Sequence, residues 1–193
     1  MAAAGVKELK ARSVKGTGIL AEIGASRVLA IGTLVLVAIA LQSTLLARAT
    51  ILRVIPQLVF VVIVCLAYVD GERVGVVTGF VGGLLQDLLL PGSIVGLTAL
   101  VYVLLGYGGG VVRRMAPGES VWMPVFVVAG ASAIAEASYA LLAIMLGQQW
   151  ISLAQTAKVM GLVVLYNTLL TPFVFPLVRG IAGRFRPERV YRW

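Results

Sequence analysis

Gly75-Val-Val-Thr-Gly79-Phe-Val-Gly82-Gly83-Leu-Leu-Gln86-Asp87 sets a glycine at 75, 79 and 83 and an acid at 87, one every four residues, inside an otherwise apolar segment. That spacing puts all four on one helix face. A bare glycine face lets a neighbouring backbone come close, and in lipid such packing rather than hydrophobicity drives helix association. The stripe ends in a carboxylate, which hydrocarbon rejects. An acid at such depth is expected to face protein or a water-filled cavity and marks a candidate functional position. Gly92 and Gly96, then Gly106 and Gly110, repeat the same spacing. Two readings stay open for these faces: helix packing inside the chain, or contact with a second membrane protein.

The rest of the chain agrees with a lipid setting. It is 60% hydrophobic and 12% charged, against about 25% charged for an ordinary soluble domain. A hydrocarbon core needs about 20 apolar residues per helix. Six candidate spans follow: 28–47, 54–69, 74–90, 94–112, 121–146 and 159–178. The reading is thus an all-α integral membrane protein, a bundle of six transmembrane helices, with a basic tail over 1–27, a membrane domain over 28–178 and a basic, aromatic tail over 179–193. An even number of spans puts both termini on one side. Thirteen Lys and Arg fall on that side and three, Arg48, Arg53 and Lys158, on the other. The positive-inside rule then predicts cytoplasmic termini in a cytoplasmic, multi-pass membrane protein.

The net charge of +8 is accounted for by basic helix ends facing anionic lipid. The cations are spread over helix ends without an aromatic-interleaved basic domain, so nucleic acid is not expected as a partner. A cleaved signal peptide is not expected, because the first apolar run exceeds the usual 7 to 15 residues or so. The chain has no histidine, which excludes hydrolases with an imidazole base and His-ligated metal sites. The glycines lack the lysine of a phosphate-binding loop. No enzyme activity, metal or cofactor is expected. The lone Cys65 lies in the second span, reads as a small packing residue and allows no intrachain disulfide.

Two acids lie within spans. Asp87 falls toward the outer end of the third and is read as either a helix-end carboxylate near headgroup water or a buried contact with a basic or amide partner in this or another chain. Glu136 falls in the small-residue segment Ala133-Ile-Ala-Glu136-Ala-Ser-Tyr139 of the fifth and should be protonated or paired. Asn167 and Tyr139 are its expected partners. The sixth span carries Pro172 and Pro176, which predict a kinked or loosely bonded inner half. Its outer approach, 147–158, is expected to lie along the interface with Trp150 as anchor.

Taken together, Ile55-Pro56-Gln57 opening the second span, Gly79 to Leu89 in the third, Gly96-Leu-Thr-Ala-Leu100 and Gly106-Tyr107 in the fourth, and Leu165-Tyr-Asn167-Thr-Leu-Leu170 with Pro172 and Pro176 in the sixth resemble the rod-shape-determining MreD family. The resemblance covers about residues 28 to 185. Gln57 departs from it, since the family usually has aspartate there, and so does the long basic N-terminal tail. The resemblance implies a non-enzymatic subunit of the bacterial cell-elongation machinery that binds the single-span protein MreC. Through MreC it would reach the glycosyltransferase RodA, its class B penicillin-binding protein and cytoskeletal MreB, in support of peptidoglycan synthesis and cell shape. It also implies a fold similar to the substrate-binding subunits of energy-coupling-factor transporters, from which comes the alternative of a small-molecule carrier subunit. Such carriers usually have an Ala-xxx-Ala motif in the first span; here that spacing occurs only at Ala21 and Ala25, ahead of the apolar run, which favours the scaffold. On that reading, the third and fourth spans, with their glycine faces, Gln86 and Asp87, form part of the surface or core that holds MreC's helix.

Overall fold

The computed structural model describes residues 25–46, 54–89, 95–115, 122–147 and 153–184. The polar N-terminal segment up to residue 24, Gly92, the Pro117-Gly118 turn, Trp150 and the end of the C-terminal tail lie outside them. The described residues form six α-helices: α1 (Ala25–Leu41), α2 (Leu58–Asp70), α3 (Glu72–Leu89), α4 (Leu97–Met115), α5 (Met123–Met145) and α6 (Leu153–Arg184), with a π-helical segment, Gln42–Leu46, closing α1. Three stretches are long and apolar enough to cross a membrane: Ser26–Leu46, Met123–Leu142 and Thr156–Arg184.

The centre of the bundle is α2. All eleven residues from Val59 to Val69 are buried, as expected for a helix that is apolar all round. It packs against each of the other five helices. Cys65 lies fully buried in it as a free thiol. The sequence predicts this element from residue 54, but the helix begins only at Leu58. Pro56 gives the reason: its ring disfavours a helical residue before it, so 54–57 stay non-helical. The resulting helix is about 20 Å long, shorter than a hydrocarbon core of about 30 Å.

Gly71 alone joins α2 to α3. Its φ of +93° is one that side-chain-bearing residues rarely adopt, and its N–H donates back to the carbonyl of Ala67 at 2.8 Å. Glu72 in the first turn of α3 and Arg113 and Arg114 in the last turn of α4 oppose the helix dipoles. They also meet. Glu72 pairs with Arg114 at 2.6 Å, Arg27 of α1 pairs with the buried Asp70, and the Arg113 guanidinium lies 5.4 Å over the Tyr68 ring. The start of α1, the α2–α3 turn and the end of α4 therefore share one end of the bundle.

Helix α6 differs from expectation at its start. It begins at Leu153, ahead of the predicted span start at 159, and runs through Pro172 and Pro176 to Arg184, past the predicted span end at 178. Thr168 and Thr171 bond back to the carbonyls of Val164 and Asn167, at 2.6 and 2.7 Å.

Candidate functional site

The glycine stripe of α3 lies against α4. A Cβ on Gly75 would collide with the carbonyl of Gly106, one on Gly79 would stand 2.5 Å from the carbonyl oxygen of Tyr102, and one on Gly83 would stand 2.5 Å from Ala99 Cα. Gly110 likewise abuts the backbone of Glu72. As the α3 position rises by four, its α4 counterpart falls by three or four, which is the register of two antiparallel helices in backbone contact. Gly82 points elsewhere, toward Ile63 of α2. The face carrying Gly75, Gly79 and Gly83 is therefore covered by the chain's own α4, and a partner helix cannot lie on it without displacing α4.

Asp87 completes the same pairing. It is 2% exposed, and its Oδ2 accepts from the backbone N–H of Gly96 at 2.9 Å, Thr98 at 3.1 Å and Ala99 at 3.4 Å. The first turn of any helix leaves amide donors without intrahelical partners. The residue preceding α4 is Gly96, at φ +95°, which has no side chain to cap them. The carboxylate of the neighbouring helix does so, and also faces the positive end of the α4 dipole. Beside it, Gln86 accepts from the Tyr102 hydroxyl at 3.1 Å, and the Tyr102 ring meets Phe60 of α2 at 5.4 Å. The acid thus contacts backbone amides of its own chain, where the sequence offered either headgroup water or a basic or amide partner in this or another chain. Asp87→Ala is expected to cost about 0.5–2 kcal/mol, the usual range for a lost cap. Asp87→Asn, which keeps an acceptor, should recover most of the melting temperature of the detergent-solubilised chain.

A second polar node surrounds the start of α2. Gln57 at the helix N-cap makes no capping bond of its own. Instead the Gln57 N–H donates to Asn167 Oδ1 of α6 at 3.0 Å, and the Val59 N–H donates to Gln42 Oε1 of α1 at 2.9 Å. Asn167 Nδ2 donates to Ser132 Oγ of α5 at 2.7 Å, and Gln57 Nε2 donates to Glu136 Oε1 of α5 at 2.8 Å. Asn167 and Ser132 are fully buried. Backbone that leaves the helix in a membrane must find its hydrogen bonds in protein, and here Asn167 of α6 and Gln42, in the segment closing α1, supply them. The partner of Glu136 is therefore Gln57, where sequence reasoning expected Asn167 or Tyr139. The start of α2 stands between the acid and Asn167 and binds both, while the half-buried Tyr139 takes no part in these bonds. Gln42, Gln57 and Ser132 were missed as site residues. Their signal was present as uncharged amides and a hydroxyl inside apolar runs, which charge counting passes over.

In these two nodes Asp87 and Asn167 accept from backbone N–H groups at helix starts, and Glu136 accepts from the Gln57 side chain beside them. No cluster of three or more Cys, Asp or Glu able to hold a metal ion occurs among the described residues. The arrangement suits a chain whose polar residues hold irregular backbone within an apolar bundle. The family model of the rod shape-determining protein MreD matches residues 25–181. The chain belongs to the MreD family. No curated protein and no solved structure matches it. Family membership places this MreD-family chain in rod-shape determination, as a structural protein. Its three apolar helices of spanning length make it a membrane protein.

Proposed function

We propose that this chain is a non-enzymatic scaffold of the cell-elongation machinery, crossing the bacterial cytoplasmic membrane six times with both ends in the cytoplasm. It binds the single span of MreC and through it supports RodA, the class B penicillin-binding protein and MreB in peptidoglycan synthesis. The observation that carries this reading is the match to the MreD family over most of the chain. The polar nodes agree with it, because they cap the chain's own helices. The clustering of Arg27, Asp70, Glu72, Arg113 and Arg114 at one end supports the sidedness read from thirteen basic residues against three.

With the glycine stripe covered, MreC is left to the outward faces. Phe80 of α3, Leu104 of α4, Phe126 of α5 and Leu165 of α6 are all more than half exposed. A photo-crosslinking amino acid placed in turn at these four positions in growing cells should capture MreC from at least one, and the same probe at the fully buried Ile63 should capture none. Absence of MreC from all four, with each variant present in the membrane, would contradict direct binding through these helices.

A further inference from the structure

Helices α1 and α3 diverge along one outer side of the bundle and leave a groove of about 370 Å³ between them. Its walls are apolar, with Val35 on one side and Val77 and Val81 on the other. Gly32 forms an open gap in the α1 wall, since a Cβ built there meets nothing within 4 Å. One charged residue lines it, Arg73, in the first turn of α3 at the end of the bundle where Arg27, Glu72 and Arg114 also lie. Arg27 and Arg114 are ion-paired, whereas Arg73 is exposed and has no carboxylate within ion-pair distance among the described residues.

We propose that this groove is a binding site for one anionic phospholipid, with an acyl chain lying along it and the phosphate at Arg73. Two observations choose this occupant. The groove runs from Arg73 to Leu85, about 18 Å at 1.5 Å per residue, somewhat more than the roughly 15 Å that one leaflet takes of a hydrocarbon core of about 30 Å. The order of chemistry, one cation at the bundle end and then apolar walls, is the complement of a phosphate followed by a chain. A guanidinium also presents paired N–H donors that match phosphate oxygens. The site rests only on α1 and α3 lying in the bilayer, so its failure would leave the partner reading intact.

Native mass spectrometry of the purified full chain, titrated with phosphatidylglycerol or with phosphatidylcholine of the same acyl chains, tests it. One phosphatidylglycerol should bind in preference to phosphatidylcholine. Arg73→Gln should lower phosphatidylglycerol affinity about fivefold, the share expected of a single cation near a membrane surface, and leave phosphatidylcholine unchanged. Gly32→Leu, which has room for its side chain, should reduce occupancy by both lipids. Equal binding of the two lipids by wild type, an unchanged preference in Arg73→Gln, or full occupancy in Gly32→Leu would each overturn the proposal. So would a Gly32→Leu chain that loses MreC while keeping its lipid, because the groove would then seat a helix.

Discussion

Gly79→Ala lowers the melting temperature of the isolated, detergent-purified chain, although alanine is by itself the better helix former. The added methyl would stand 2.5 Å from the Tyr102 carbonyl oxygen and 2.8 Å from its carbon, and backbone on α4 cannot rotate away as a side-chain tip can. Overpacking of this kind costs about 1–3 kcal/mol and sometimes more, against a gain of up to about 1 kcal/mol from helix propensity. The clash decides the sign. Gly108 gives the control. It lies on α4, two residues from Gly106 and therefore on the opposite side of the helix, and a Cβ there meets nothing within 4 Å, so Gly108→Ala should be neutral or stabilising. The same substitution on two helical glycines of one hairpin thus has opposite expected signs. Thermal melts by intrinsic fluorescence or by differential scanning with a thiol-free dye would read both.

Asn167→Leu is the second large effect. The leucine is close in size, so the loss is chiefly of hydrogen bonds: the part-buried Gln57 N–H and the fully buried Ser132 hydroxyl would both lose their partner. Each stranded buried group costs about 1–3 kcal/mol, with the lower end favoured by the modest hydrogen-bond values measured between helices in membranes. The damage should be local as well as global. Hydrogen exchange at the first turn of α2 should rise, while the Asp87-capped start of α4 stays protected. Asn167→Asp keeps an acceptor for the Gln57 N–H and loses the donor to Ser132, so it should fall between wild type and leucine.

Much of this architecture was legible from where charge is absent. The runs bounded by Arg27 and by Arg179 place α1 and α6, and the four-residue glycine spacing identifies the α3 face that needs close backbone contact. The spacing could not name the surface opposite. A glycine stripe has the same form whether it meets the next helix of its own chain or another protein, and only the register of Gly75 with Gly106 and Gly79 with Tyr102 decides. Asp87 was conspicuous as an acid among apolar residues, yet its partners are backbone amides, which every residue but proline has and no sequence pattern marks. At the start of α2 the apolar run from Val54 hid a shorter helix, and Pro56 was the sign that it begins late. The glutamines at 42 and 57 went unread because amides are tolerated in apolar segments wherever a stray helix end can use them. The Gln57 amide donates to Glu136, where a carboxylate at 57 would set two acids against each other.

The outward faces remain for partners once the glycine stripe, Asp87 and Asn167 are assigned to the fold. The most direct measurement of that central claim is co-purification, in lipid nanodiscs, of this chain with MreC from the same genome, alongside a melt of the chain alone for wild type and Gly79→Ala. The account predicts a stoichiometric complex with wild type and a lowered melting temperature for Gly79→Ala even when MreC is absent. A Gly79→Ala chain that melts like wild type on its own but no longer retains MreC would contradict it, placing the partner on the stripe, and no wild-type complex at all would contradict the scaffold itself.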